Sequence, residues 1–167
     1  MDLYHAGFAA EVKSEGKKET IMGLADLHIH TIHSPDGIPS IPAVLKHVAE
    51  KTDLDVIAIT DHNSMRGVRE ALELAPAYGV EVIPGCEIST AEGHLLALYL
   101  QRPLPAGRPL IETLCLAGDA GGLCIAPHPM ARGCSSLHTD AIAKALQHPD
   151  AGRILVGVEV FNGGLVY

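Results

Sequence analysis

The sequence predicts an α/β fold in which parallel strands alternate with helices and curl into a barrel. Three observations carry this. From Leu24 onward, short apolar runs rich in β-branched residues alternate with stretches of helical spacing, the pattern of parallel strands covered by helices. Polar residues gather where the apolar runs end: His28 and His30, Asp61 and His62, Glu87, His94 and His128. A β/α barrel builds its site from many strand ends at one face, whereas an open sheet concentrates function at one switch point. The 167 residues are enough for one sizeable domain with its own core.

The elements follow in order. Residues 1–22 are mixed in character, with a charged run from Glu11 to Glu19, and read as a lead-in, a hairpin arm or a partly disordered segment. The domain proper is expected over 23–167. "LADLHIHT" is a strand that stops at the Ser-Pro-Asp-Gly turn signal. "IPAVLKHVAEKT" has helical spacing in Ile41, Val44, Leu45 and Val48, with Ser40 placed to cap it and Pro42 in the first turn. "DVIAIT" is a buried strand, and "SMRGVREALELAPAYG" a helix ending near a glycine. "VEVIPGCEIS" and "HLLALYL" are strands, "PLIETLCLAGDAGG" begins as a helix, "LCIAPHP" is a strand, "TDAIAKALQH" a helix and "RILVGVEVF" a strand.

Composition narrows the function. Hydrophobic residues make up 47% and charged residues 19%, an ordinary globular balance. Aromatics are 4% and Trp is absent, so the aromatic and basic interleaving of single-strand nucleic-acid grooves is missing. A formal charge of −8 argues against an extended nucleic-acid surface. It leaves room for a small phosphorylated substrate, because bound metal ions reverse the local sign. Cys86, Cys115, Cys124 and Cys134 form no C-x-x-C pair, so a zinc ribbon is not expected. No signal peptide or apolar membrane span is evident, and a cytoplasmic protein with reduced thiols is the expectation.

The strand ends carry the chemistry. His28 and His30 form H-x-H, which on a strand puts two imidazoles on one face. That pair suits several transition metals, but a half-exposed polar strand face gives the same spacing. In "ITDHN", Asp61 and His62 end a strand; a helix-start signal explains the Asp, although Asn63 or Ser64 supplies a cap without His62. Glu87 in "GCEIS" ends an apolar strand, where a carboxylate needs a partner or a metal. His94 opens a strand and His128 stands between prolines at a strand end. Each has a bland explanation; all of them together do not. His33 shares the loop with Asp36 but is not expected to ligate, and His5, His47, His138 and His148 read as structural or surface residues.

The order H-x-H-T, S-x-D-G, T-D-H, G-x-E-I-S, a strand His and P-H-P resembles the PHP (polymerase and histidinol phosphatase) phosphoesterases, over about Ala25 to Asn162. The resemblance implies a distorted (β/α)7 barrel with two or three divalent metals at the C-terminal end of its strands. It implies that His28 and His30 hold a first metal, that Glu87 bridges to a second completed by His94 and His128, and that Asp36 and His62 serve a third. Asp26 and Asp61 would orient imidazoles through their free N–H groups, as ligating histidines require. Glu87, His128 and Asp61 are the candidate catalytic residues. Arg132, four residues past His128, is placed to take a phosphate as a planar fork, though a solvated arginine explains it equally well.

The family's closing D-x-H is not found before Tyr167; Asp140 is followed by Ala141 and Ile142 within a helical pattern. The expectation is therefore a barrel lacking its last β/α unit, either as a fragment of a longer protein or as a natural truncation without activity. The implied chemistry is hydrolysis of a phosphoester, a small phosphate monoester or a nucleotide or short oligonucleotide, by a metal-bound hydroxide. Zn, Mn and Fe suit the mixed His/carboxylate donors, and Mg alone does not. The rivals are an inactive metal-binding or interaction module and an amidohydrolase. The latter wants a mid-barrel lysine, and none lies between Lys51 and Lys144. Nothing in the sequence sets the oligomeric state.

Overall fold

The computed structural model describes residues 6–11, 20–160 and 162. Seven strands form one sheet in the order in which they occur along the chain. They are β1 (Ala6–Glu11), β2 (Thr20–Ile29), β3 (Val56–Ile59), β4 (Glu81–Ser89), β5 (His94–Leu98), β6 (Leu123–Ala126) and β7 (Leu155–Val158). The helices are α1 (Ile41–Lys51), α2 (Arg66–Tyr78), α3 (Leu110–Asp119), α4 (Thr139–Gln147) and the short α5 (Ala151–Ile154).

The lead-in supplies β1, an antiparallel arm paired with β2 from Ala6↔Ala25 to Glu11↔Thr20. Residues 1–5 and 12–19 of the lead-in, like Phe161 of the last expected strand, lie outside the described residues.

The expectation of uniformly parallel strands is corrected at β5. The pairs β2–β3, β3–β4 and β6–β7 are parallel, but β5 runs antiparallel to both β4 and β6. The cause is the link: residues 90–93 join β4 to β5, too few for the helical crossover that a parallel pair needs. Thr90 closes that link, its N–H and hydroxyl both donating to the Gly93 carbonyl (2.9 and 2.6 Å). Gly93 has φ +149°, and a side chain there would meet the Ser136 and Leu137 backbone at 2.6–2.7 Å.

The sheet curls. His28 on β2 lies 3.1 Å from Glu159 just past β7, yet five strand spacings separate β2 from β7 in sheet order. In a flat sheet they would stand about 24 Å apart. Period-two alternation sorts the two faces. Ile57 and Ile59 of β3 pack with α1 and α2 residues such as Leu45 and Val68, and Cys86, Ile88, Leu95 and Ala97 pack with Leu114 and Leu110 of α3. The alternate residues Ala58, Ile83 and Leu98, with Leu27 and Ile125 against them, form a smaller cluster on the concave face. Burying these apolar side chains against helices outside and against one another inside is the main stabilising term.

Candidate metal centre

The concave face positions the site. On β4 the residues in phase with inward Ile83 are Gly85 and Glu87, so Glu87 points into the hollow and is 1% exposed. On antiparallel β5, inward Leu98 is in phase with Leu96 and His94. Because β5 is reversed, its first residue sits beside the last residue of β4, paired as Ser89↔His94. The β-strand reversal thus brings His94 to the end where the parallel strands present their C-termini.

β2 requires a further device. Leu27 packs inside and Ile29 outside, although they are two apart. The β2–β3 register slips between Asp26 and Ile29, an extra residue that switches which side chains face inward. His28 within the slip and His30 beyond it both face Glu87. His128 is re-aimed by its backbone, with a left-handed φ of +32°, a region costly for a residue with a Cβ.

Five imidazole nitrogens surround the Glu87 carboxylate. Oε2 faces His28 Nε2 (3.2 Å), His30 Nε2 (2.8 Å) and His62 Nε2 (3.3 Å). Oε1 faces His94 Nδ1 (3.1 Å) and His128 Nε2 (3.0 Å). Asp36 closes one side, with Oδ1 2.9 Å from His30 Nδ1 and Oδ2 3.4 Å from His62 Nε2. Adjacent rings stand 4.6–5.7 Å apart between centroids.

Charge is unevenly held. Burial opposes ionisation of Glu87, but the surrounding imidazoles of His128, His28, His30 and His94 outweigh it and hold the carboxyl far below its usual range. Burial likewise works against His28, yet Glu159 and Glu87 raise it to about 10. His30 is raised too, Glu87 outweighing burial. His62 is lowered, chiefly by burial, with His30 and His94 adding repulsion against the pull of Glu87.

These residues fit a divalent cation. His30 Nε2 and His94 Nδ1 are buried and close to Glu87 oxygens, but neither is aligned with a hydrogen-bond partner. Three overlapping donor groups have ligand atoms within 4.8 Å of one another: His28–His30–Glu87, His30–Asp36–His62 and His62–Glu87–His94. Mixed imidazole and carboxylate donors suit Zn, Mn and Fe. The grouping makes His62 a neighbour of Glu87 and His94 as well as of Asp36.

The remaining site candidates fall elsewhere. Asp61, expected to orient an imidazole and to be among the catalytic residues, is fully buried. Its carboxylate accepts the Thr31 N–H at 2.6 Å and the Thr31 hydroxyl at 2.9 Å. The T-D-H spacing puts Asp61 and His62 on opposite sides of the strand end, so the Asp supports the His30–Thr31 turn. Asp26 accepts the main-chain N–H of His28 at 3.0 Å. Asn63 does not cap α2, whose N-cap is Met65; it ties the β3 end to Ser89 through two hydrogen bonds (2.8 and 2.9 Å). His33 lies against Gly67 and 3.9 Å from Glu70, outside the cluster. Arg132 is exposed on the loop after β6.

Two residues of the centre are not apparent from sequence motifs. Glu159 accepts from His28 and from the His128 N–H, and Ser136 Oγ lies 3.0 Å from His128 Nδ1. Glu159 has a signal: it ends an apolar strand in "GVEVF" as Glu87 does in "GCEIS". Ser136 has none, since only the folding of its loop brings it to His128.

A curled α/β sheet with a His/carboxylate cluster at its strand ends defines a β/α protein equipped for divalent metals. The chain belongs to the PHP domain family, whose family model matches residues 26–158. It is 41% identical over 148 residues to an uncharacterised protein of Methanocaldococcus jannaschii, covering 83% of this chain and 81% of that one. It is also 37% identical over 92 residues to a 5′-3′ exoribonuclease of Haemophilus influenzae, covering 53% of this chain and 33% of that one. Among solved structures, the fold resembles a two-domain protein from Bacteroides vulgatus containing a predicted PHP-like metal-dependent phosphoesterase. There the TM-score is 0.66 at 20% identity, over 96% of this chain and 46% of that one. An amidohydrolase from Chromobacterium violaceum matches at TM-score 0.62 and 18% identity, over 81% and 76%. The chain thus spans only a third of the exoribonuclease and under half of the Bacteroides protein.

Proposed function

We propose that this protein hydrolyses a phosphoester with the help of two or three divalent metal ions, Zn, Mn or Fe. The observation that carries the reading is the convergence of imidazoles from separate strand ends on the one buried carboxylate of Glu87. We assign His28, His30 and Glu87 to one ion and Glu87, His94 and His128 to another. Asp36 and His62 serve a third, with His62 also close to the second. When bound, the metals supply a water acidic enough to ionise near neutral pH and positive charge for the phosphoryl oxygens. The chain's own part is to hold the donors and to keep Glu87 ionised. Arg132, on the His128 loop, is the residue we assign to phosphate binding.

The substrate we favour is a small phosphate monoester, or a nucleotide or short oligonucleotide. A net charge of −8 disfavours long polyanions, and the exoribonuclease relative agrees with a nucleotide-like substrate. We read the curled sheet as the greater part of a distorted seven-unit β/α barrel. We place the protein in the cytoplasm, where free thiols such as its four are the default.

The test is reconstitution. Protein stripped with a chelator and reloaded with Mn, Zn or Fe should cleave p-nitrophenyl phosphate or its bis-ester, and the stripped protein should not. Metal uptake without turnover on either ester would leave a binding module. Cleavage of a cyclic amide but no phosphoester would point to an amidohydrolase.

Metal loading should also release protons. His28, at about 10 without metal, carries a proton at pH 8 that a ligating imidazole must lose. Its raised value favours the metal-free fold fully below its ordinary value of 6.5, and that contribution is lost as pH rises through about 10. Metal affinity should therefore rise by roughly tenfold per pH unit for each proton released, up to that point. Calorimetric titration of Zn in buffers of different ionisation enthalpy measures the count. A heat independent of buffer would contradict it.

A further inference from the structure

We propose that Glu159 is a positioning residue that sets the orientation of two of the cluster's imidazoles at once; this rests on the metal-binding reading above. Glu159 follows β7, and its N–H donates to the Ala126 carbonyl at 2.8 Å, continuing the β6–β7 ladder. The ladder fixes where its carboxylate lies, and its two oxygens do different work. Oε1 accepts from His28 Nδ1 at 3.1 Å. With Nδ1 committed to this carboxylate, His28 presents Nε2 to Glu87, which is the nitrogen a cation would use. A carboxylate behind a ligating histidine fixes its tautomer and raises its basicity.

Oε2 accepts the main-chain N–H of His128 at 2.7 Å. This is the residue held at φ +32°, a conformation that persists only where its surroundings hold it. A charge-assisted bond to its own N–H is such a hold. Ser136 then orients the ring through Nδ1, leaving Nε2 toward Glu87. Asn162 Nδ2 donates to Oε2 at 3.2 Å and lies 3.4 Å from His28 Nδ1, so it steadies the carboxylate beside that ring. One side chain thus links β2, β6 and β7 at the site: His28 lies on the Oε2 side of Glu87 and His128 on the Oε1 side. A shift of Glu159 moves ligands of both ions.

The test compares the full chain with Glu159→Gln, using Co²⁺ as the probe. The readouts are the Co²⁺ dissociation constant from chelator competition, the visible absorption of bound Co²⁺ and the thermal unfolding of the metal-free protein. Glu159→Gln keeps the shape but loses the charge and one acceptor oxygen. It should bind Co²⁺ about 10- to 100-fold more weakly, with an altered visible spectrum and a native circular dichroism spectrum. A purely structural residue would lower the melting temperature and leave the spectrum of bound Co²⁺ unchanged. Wild-type affinity and spectrum in Glu159→Gln would overturn the proposal while leaving the metal reading intact. A wild-type chain that binds no Co²⁺ would overturn both. If Glu159→Gln does not fold, Glu159→Asp carries the test: it keeps the charge, shortens the reach and should weaken Co²⁺ binding in the same way. Failure of both variants to fold would make Glu159 a folding residue and end the proposal.

Discussion

Replacement of Glu87 by Gln should empty the metal centre and abolish hydrolysis. Glu87 is the group that all five imidazoles share, three at Oε2 and two at Oε1. An amide offers one acceptor oxygen in place of two charged ones, and turns an N–H₂ donor toward one set of imidazoles. Donor faces donor there, and the negative charge that draws cations into the hollow is gone. Metal content by elemental analysis should fall to below about a tenth of the wild-type value, the scale on which loss of ligand support weakens such sites. Turnover should fall by on the order of 10³-fold or more, as when a charge-stabilising group is removed from a closed site. A Glu87→Gln protein with wild-type metal content and rate would sink the assignment. The fold should survive, because Glu159 still faces His28 and the apolar clusters do not involve Glu87.

Much of this centre is legible in the amino-acid sequence alone, and the illegible part has identifiable causes. Strand existence follows from β-branched runs such as "DVIAIT", since those side chains fill a pleated, buried surface. Glu87 is legible because an unpartnered carboxylate at the end of an apolar strand is costly. The same logic applies to Glu159, where no neighbouring histidine draws attention to it. The direction of β5 is implied by the four-residue link from β4, but a pattern of strictly alternating strands and helices hides it. The inward facing of His28 and His30 depends on a register slip with Asp26 and Ile29 at its ends, and such bulges have no reliable local signature. His128 is aimed by a backbone conformation, and Asp61 by a hydrogen bond to Thr31. These are tertiary choices that a motif does not encode: the T-D-H spacing is compatible with the Asp facing either side.

Asp61 supplies the second large effect, and it should appear in stability before catalysis. Its side chain is fully buried among Thr31, Ile41 and the start of α2, and its carboxylate accepts both the N–H and the hydroxyl of Thr31, itself fully buried. Asp61→Ala would leave that N–H without a partner in an apolar setting. The cost is about 3 kcal/mol, the upper range for an orphaned buried donor that had a charged acceptor. For a chain of this size that lowers the melting temperature by roughly 6–12 °C. Asp61→Asn should lose much less, because its oxygen still accepts the Thr31 N–H while the hydroxyl turns to accept from the amide. Since Thr31 follows His30 directly, a slackened turn also loosens the His30 ring. Asp61→Ala should therefore bind metal more weakly even at temperatures where it is folded, and Asp61→Asn should not. Thermal unfolding followed by circular dichroism, with and without Zn, separates the two variants. Equal melting temperatures for wild type and Asp61→Ala would show that the Thr31 turn stands without its carboxylate.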